Sequence, residues 1–198
     1  MSSARCRISD KKMSRKIIIQ RKRIYFAVEG EGEQSFIKFL QQISDQNNIH
    51  VHLDCEVLSG GGYKAMLDRA IIYRSRKDKY KGKAKESILI VDTDRADKKD
   101  DAWSLEQLIT EANKNDFTVC LQKPNLEGVL LRMLPGKEQL SPNASSAHKQ
   151  LIKEWQHYQK PADSRTLMNK FSFEDLKRAA KSDTHLMNLL IKIGLFAK

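Results

Sequence analysis

Two stretches of sequence decide the fold prediction, because each is a short apolar run that ends at a carboxylate. Residues 88–91 (ILIV) lead into Asp92-Thr93-Asp94, and residues 24–28 (IYFAV) lead into Glu29-Gly30. A run of this length and composition is typical of a strand buried in a parallel sheet. The carboxyl ends of parallel strands meet at one edge of the sheet, where open α/β folds bind ligands. We therefore expect Glu29, Asp92 and Asp94 at a common sheet edge.

The rest of the chain alternates between helical and strand periodicity up to about residue 122. The pattern predicts an α/β fold with a Rossmann-like, mostly parallel sheet of about four strands flanked by helices and joined by right-handed crossovers. We expect strands at 24–28, 50–57, 88–91 and 117–121, and helices at 34–46, 63–76 and 103–113. The charged segment 77–85 is expected to be a mobile linker. Beyond residue 123 the pattern favours helices at 126–133, 147–158 and 184–196, with another beginning near 172.

These patterns divide the chain into three parts. Residues 1–22 are expected to form a basic, flexible arm, residues 23–134 an α/β domain, and residues 135–198 a helical region packed on that domain. The basic arm has two interpretations: a solvated tail, or a segment that lies along nucleic-acid phosphates.

Composition indicates what the protein binds. The net charge is +11 and the isoelectric point is about 9.6, which favours a polyanionic partner. Three scattered cysteines suit neither a disulfide framework nor a zinc site, so we expect a reducing, cytoplasmic setting. No apolar stretch is long enough to cross a bilayer, and no apolar signal-peptide core is present, so we expect no membrane partner.

The acidic residues suggest a divalent metal site. Carboxylates close together repel one another unless a hard cation such as Mg²⁺ or Mn²⁺ neutralises them. We assign catalytic and metal-binding roles to Glu29, Asp92 and Asp94. The alternative for the two aspartates is a favourable acidic first turn of a helix. Glu33 is interpreted as a supporting residue behind the metal ligands.

The order of these motifs resembles the Toprim family. A strand ending in Glu29-Gly30 and a later strand ending in Asp92-Thr93-Asp94 match its pattern, and the resemblance spans residues 23–122. The first motif is similar to that of the small defence-associated members of the OLD type and RloB-like type. The latter also carry a glutamate in an apolar helix after the fourth strand, which implies that Glu127 completes the metal site. Leu126 stands where those chains have an aromatic residue.

Several basic and glycine residues are candidates for binding phosphate. Ser59-Gly60-Gly61-Gly62 precedes a helix, where free backbone N–H groups favour anions, although a simple tight turn explains it equally well. The motif lacks the Lys-Ser/Thr ending of a P-loop. The candidate nucleic-acid contacts are Lys22, Arg23, Gly61, Gly62, Lys64, Arg69, Arg95 and Lys123. Trp155 and Tyr158 are candidates either for stacking on bases or for helix packing.

Three functions fit these observations. The first is metal-dependent cleavage of nucleic-acid phosphodiesters by a nuclease or nuclease subunit, which the resemblance places in prokaryotic anti-phage defence. The second is a non-catalytic nucleic-acid-binding module that acts with a partner such as an ATPase. The third is phosphoryl transfer on a small molecule, which the high positive charge disfavours.

Overall fold

The computed structural model describes residues 20–95 and 102–196, except for the side chain of Arg95. Four strands form one parallel sheet in the order β2-β1-β3-β4: β1 Lys22–Val28, β2 Val51–Val57, β3 Glu86–Asp92 and β4 Thr118–Gln122. Helices α1 (Glu31–Gln46), α2 (Tyr63–Lys81) and α3 (Leu105–Lys114) connect them, and a short 3₁₀ turn, Thr93–Arg95, follows β3. The predicted α/β, Rossmann-like parallel sheet is confirmed.

After β4 the described chain is helical. It comprises α4 Leu126–Met133, α5 Ala144–Glu154, α6 Ser164–Lys170, α7 Phe173–Ala180 and α8 Thr184–Ile193. These helices share a hydrophobic core with α1 and one face of the sheet, while α2 and α3 cover the other face. Alternate residues of β1 therefore point to different cores, Phe26 to the first and Tyr25 to the second. This sandwich buries both faces of the sheet, as the continuous apolar strands predict.

Several helix boundaries differ from the predicted ones because capping residues set them. Helix α1 begins at Glu31, three residues before the predicted start at 34, and the Gly30 N–H donates to Glu33 Oε2 at 3.1 Å. Helix α5 begins at Ala144 because Asn143 Oδ1 accepts from the Ser146 N–H at 2.9 Å. Helix α8 ends before Gly194, whose φ of 86° is left-handed, rather than continuing to 196. Helix α6 was not predicted, and Asp163 caps it.

The prediction of a mobile linker at 77–85 was wrong for its first half. Helix α2 continues to Lys81, and Lys77 and Lys81 both bind the buried carboxylate of Asp54 on β2, at 2.9 and 3.1 Å. The charged residues give no local sign of this order because their acidic partner lies on another element of the fold. The connection to β3 is thereby reduced to the few residues after Lys81.

Candidate functional site

The two acidic motifs lie at the same edge of the sheet on neighbouring strands. Strands β1 and β3 pair in parallel, with Ala27 opposite Leu89. Glu29 follows the end of β1, and Asp92 is the last residue of β3. Asp92 is also paired with Gln122, the last residue of β4, so the chain that leads to α4 starts beside it. The ends of three adjacent strands therefore supply the candidate site.

Asp92 lies at the electrostatic centre of this edge. Its Oδ1 is buried and has no hydrogen-bond partner among the described residues. Burial, and after it the negative charges of Glu33, Asp94, Glu29 and Glu127, together raise the pKa of Asp92 to about 8. Five carboxyl groups thus converge closely enough to influence one another, and we call them the carboxylate cluster.

Glu33 belongs to this cluster as well as to the first turn of α1. Its Oε2 accepts the Gly30 N–H at 3.1 Å, which fixes the start of the helix directly after Glu29. Burial raises the pKa of Glu33, the backbone hydrogen bonds lower it, and the charge of Glu127 raises it again, with a net upward shift. The side chain therefore supports the local backbone and adds negative charge beside Asp92.

Glu127, in the first turn of α4, is the most deeply buried acid of the cluster, with only 2% of the residue exposed. Its Oε1 accepts a hydrogen bond from Tyr158 Oη at 3.1 Å and forms an ion pair with Lys160 Nζ at 2.7 Å. The helical C-terminal region therefore supplies two partners to an acid of the α/β part. Tyr158 makes this polar contact while its ring also packs on Trp155. Sequence analysis did not identify Lys160, and no local pattern connects it with Glu127.

Hydrogen bonds link the segment that follows β3 to the segment that precedes α4. The Asp94 N–H and the Thr93 hydroxyl both donate to the Pro124 carbonyl, at 3.1 and 3.3 Å. Asn125 Nδ2 donates to Asp94 Oδ2 at 3.4 Å. Asn125 Oδ1 accepts from the Gly128 N–H at 3.2 Å and so caps α4. Asp94 and Glu127 are consequently held in a fixed relation to each other.

The position of Gly128 depends on its lack of a side chain. A Cβ there would lie 2.5 Å from Pro124 Cδ and 2.6 Å from the Lys123 carbonyl oxygen. The first turn of α4 can pack against the preceding turn only because this atom is missing. This close approach sets the position of Glu127 at the cluster.

The donor set suits a hard cation, but the side chains do not form a coordination sphere as placed. All five groups are carboxylates, the ligands that Mg²⁺ and Mn²⁺ prefer. Among the described residues, no three histidine, cysteine, aspartate or glutamate side chains are arranged to hold a metal ion. The charges of Glu29 and Asp94 act on Asp92, and a common metal for these three residues stays a prediction.

Beside the cluster lies an open cavity of about 260 Å³. Its charged lining comes from Glu31, Glu33, Glu127 and Lys160, and the rest comes from Gly32, Leu126, Tyr158 and Pro161. Two acids of the cluster, Glu33 and Glu127, therefore line an open cavity.

Two predicted phosphate contacts lie at the opposite end of β1 from Glu29. Arg23 is 8% exposed; its Nε and Nη2 bind Asp54, and its Nη1 binds Asp78 at 2.6 Å. Lys22 Nζ pairs with Glu86 at 2.5 Å. Arg23 is therefore committed to a buried network rather than to a surface phosphate site, and neither residue reaches the carboxylate cluster.

The remaining basic and glycine candidates are dispersed. Arg69 Nη1 donates to the carbonyls of Leu58 and Gly60, at 2.6 and 2.7 Å, and so holds the loop that contains Gly61 and Gly62. Lys64 pairs with Asp68 at 3.0 Å on the surface of α2. Lys123 directly follows β4, and its carbonyl accepts from Arg132 Nη1 at 2.7 Å. The side chain of Arg95 and the basic residues of 1–19 lie outside the described parts of the chain.

Comparison with known proteins adds no assignment. No family model, curated protein or solved structure matches the chain. Within the described residues, no helix is both long enough and apolar enough to span a membrane. The function must therefore be argued from the carboxylate cluster and the charge of the chain.

Proposed function

We propose that the protein is a metal-dependent nuclease, or the nuclease subunit of a larger assembly, that cleaves phosphodiesters of DNA or RNA. The observation that carries the proposal is the environment of Asp92, whose buried Oδ1 lacks a hydrogen-bond partner among the described residues and whose pKa is raised by burial and by the charges of four other carboxylates. Such an arrangement is costly for the folded protein unless a cation compensates it. Costly carboxylates gathered at the ligand-binding edge of an α/β sheet are typical of a functional site.

Asp92 and Glu29 would hold Mg²⁺ or Mn²⁺, with Asp94 and Glu127 completing the set. When bound, the metal would activate the attacking water and stabilise the charge that develops on phosphate oxygens. Glu29, on the neighbouring strand, is suited to accept the proton of that water. Glu33 keeps the backbone after Glu29 in place through the Gly30 N–H.

The substrate is inferred from charge. A chain with a net charge of +11 that brings five carboxylates together at one sheet edge is suited to bind a polyanion and to present a small acidic centre to it. The resemblance of the two acidic motifs to Toprim proteins supports the same chemistry. It also supports a role in prokaryotic anti-phage defence, in the cytoplasm and beside a partner such as an ATPase.

The second candidate function is a non-catalytic nucleic-acid-binding module. It is favoured by the finding that no three acidic, histidine or cysteine side chains among the described residues are placed to hold a metal. In that case the cluster would serve stability or partner assembly, and no divalent metal would support cleavage.

Cleavage assays on Asp92→Asn and Glu29→Gln separate the two functions. Wild type, both variants and the control Glu174→Gln are incubated with labelled single- and double-stranded DNA and RNA in Mg²⁺ or Mn²⁺. Glu174 is an exposed acid on α7, with 75% of its side chain accessible. We expect the cluster variants to lose on the order of 100-fold or more in cleavage rate, while nucleic-acid binding persists. Equal cleavage by wild type and Asp92→Asn would overturn the proposal.

A further inference from the structure

Lys160 places a positive charge on the most buried acid of the cluster. It lies in the turn between α5 and α6, and its Nζ is 2.7 Å from Glu127 Oε1. The two partners differ greatly in solvent access, because 62% of the Lys160 side chain is exposed but only 2% of that of Glu127. The lysine side chain therefore extends from the surface to a carboxylate that is shielded from solvent.

The charge of Lys160 extends its influence beyond Glu127. Lys160 lines the open cavity together with Glu33 as well as Glu127, so its charge lies beside more than one acid of the cluster. The lysine thus compensates more than one carboxylate. A divalent cation at the cluster would compensate the same groups, and two cations this close would repel each other.

We propose that Lys160 is a displaceable counter-cation, which neutralises Glu127 in the metal-free protein and gives way when a divalent metal binds the cluster. The inference rests on the proposed function, since it assumes that the cluster takes a metal. A buried carboxylate without a partner is strongly destabilising, so Glu127 needs compensation before the metal arrives. An exposed lysine side chain can swing into solvent at small cost, whereas the Tyr158 hydroxyl stays on Glu127 Oε1.

Two consequences follow. The cluster remains compact without metal because Lys160 offsets part of its repulsion. The affinity for metal is lower than the carboxylates alone would give, because the metal must displace the lysine. Lys160 is thus a positioning residue for Glu127, and its effect can be measured as a change in the affinity for metal.

The first test is a calorimetric titration of Mn²⁺ into wild type, Lys160→Met and Lys153→Met. Lys153 is an exposed lysine of α5, so its replacement changes the net charge equally but leaves Glu127 alone. We expect Lys160→Met to bind Mn²⁺ about 2- to 5-fold more tightly than Lys153→Met, the range that a partly exposed ion pair is worth. Equal or weaker binding by Lys160→Met would overturn the inference while leaving the metal site intact. Absence of Mn²⁺ binding by wild type would instead overturn the proposed function.

The second test uses the wild-type protein and so does not depend on the folding of a variant. Lysines are acylated briefly with and without saturating Mn²⁺, and the extent at each position is measured by mass spectrometry. Release from Glu127 frees the Lys160 amine from its ion pair and increases its access to the reagent, so its acylation should rise by about 2-fold or more with Mn²⁺ while that of Lys153 stays constant. Unchanged or reduced acylation of Lys160 in protein that binds Mn²⁺ would contradict its displacement.

Discussion

At the scale of single residues, Asp92 couples the proposed activity to stability. Its pKa in the folded protein is about 8, whereas an unperturbed aspartate has a pKa near 3.9. Between these values the folded state binds more protons than the unfolded state, so stability falls as the pH rises. The group has no such effect below about pH 4, where both states are protonated.

Asp92→Asn should therefore stabilise the metal-free protein at alkaline pH. We expect a gain of at least about 1 kcal/mol at pH 8 and a clearly smaller gain at pH 5, because the amide carries no charge to bury. In a chain of this length each kcal/mol corresponds to about 2–4 °C in melting temperature. Thermal unfolding in EDTA at both pH values measures it, with Glu174→Gln as a pH-independent control. A variant less stable than wild type at pH 8 would show that the Asp92 carboxylate is compensated without metal.

The close packing at Gly128 leads to a second prediction for a single residue. Gly128→Ala should lower the free energy of unfolding by about 1–3 kcal/mol, because the new Cβ would collide with Pro124 and with the Lys123 carbonyl. The matched control is Gly32→Ala in α1, where a Cβ would be 3.3 Å from a Leu126 methyl group that can rotate away. Chemical denaturation of both variants tests the difference. Equal stability of the two would mean that the turn before α4 adjusts freely.

At the scale of elements, the buried carboxylate of Asp54 links α2 to the sheet through ion pairs. Asp54 on β2 is 5% exposed and binds Arg23 on β1 as well as Lys77 and Lys81 on α2. Burial acts to raise the pKa of Asp54, but the hydrogen bonds from Lys77, Arg23 and Lys81 outweigh it and bring the pKa to about 2. The stabilisation is thus present above about pH 4 and is lost as the pH falls towards 2.

Replacing Asp54 should lower the free energy of unfolding far more than replacing an exposed aspartate. Asp54→Asn should lower the free energy of unfolding by about 3 kcal/mol at pH 7, because it leaves three cations without their shared partner. Asp68→Asn breaks the exposed Lys64–Asp68 pair of α2 and should cost no more than about 0.5 kcal/mol. Urea denaturation at pH 7 and pH 2.5 measures both, and the difference between the variants should shrink at the lower pH. A difference that persists undiminished would refute the electrostatic origin.

The elements that the sequence predicted well are those whose signal is local. Each apolar strand carries its own pattern, and a carboxylate directly after a strand must lie at the sheet edge, so Glu29 and Asp92 could be placed on neighbouring strands. The extension of α2 to Lys81 could not be predicted, because its charged residues are stabilised by Asp54 on another element. The contacts of Tyr158 and Lys160 with Glu127 were missed for the same reason, since only the packing of the C-terminal helices creates them.

At the scale of the whole molecule, 36 basic residues outnumber 25 acidic ones, and five of the acids form the carboxylate cluster. Residues 1–19 contain six lysines and arginines and one acid. The described chain begins just before Arg21 and Lys22, which pair with Asp45 and Glu86. A deletion that ends at residue 19 therefore removes basic residues without disturbing the ion pairs at the start of β1.

This deletion should weaken nucleic-acid binding through the salt-dependent part of the affinity. The logarithm of the binding constant should fall linearly with the logarithm of salt concentration, with a shallower slope for the deletion than for the full chain. Weakening should be similar across sequences, because phosphate contacts carry no sequence information. Fluorescence anisotropy between about 50 and 200 mM salt measures both slopes. Identical slopes would show that the basic segment makes no phosphate contacts.

The proposed metal site can be observed in a crystal of the protein soaked in Mn²⁺. We expect an anomalous peak at the sheet edge, bonded to Asp92 Oδ1 and to Glu29, with Lys160 turned away from Glu127. A protein that shows no manganese at this edge at millimolar Mn²⁺, with Lys160 still on Glu127 Oε1 and Asp92 unchanged, would contradict it.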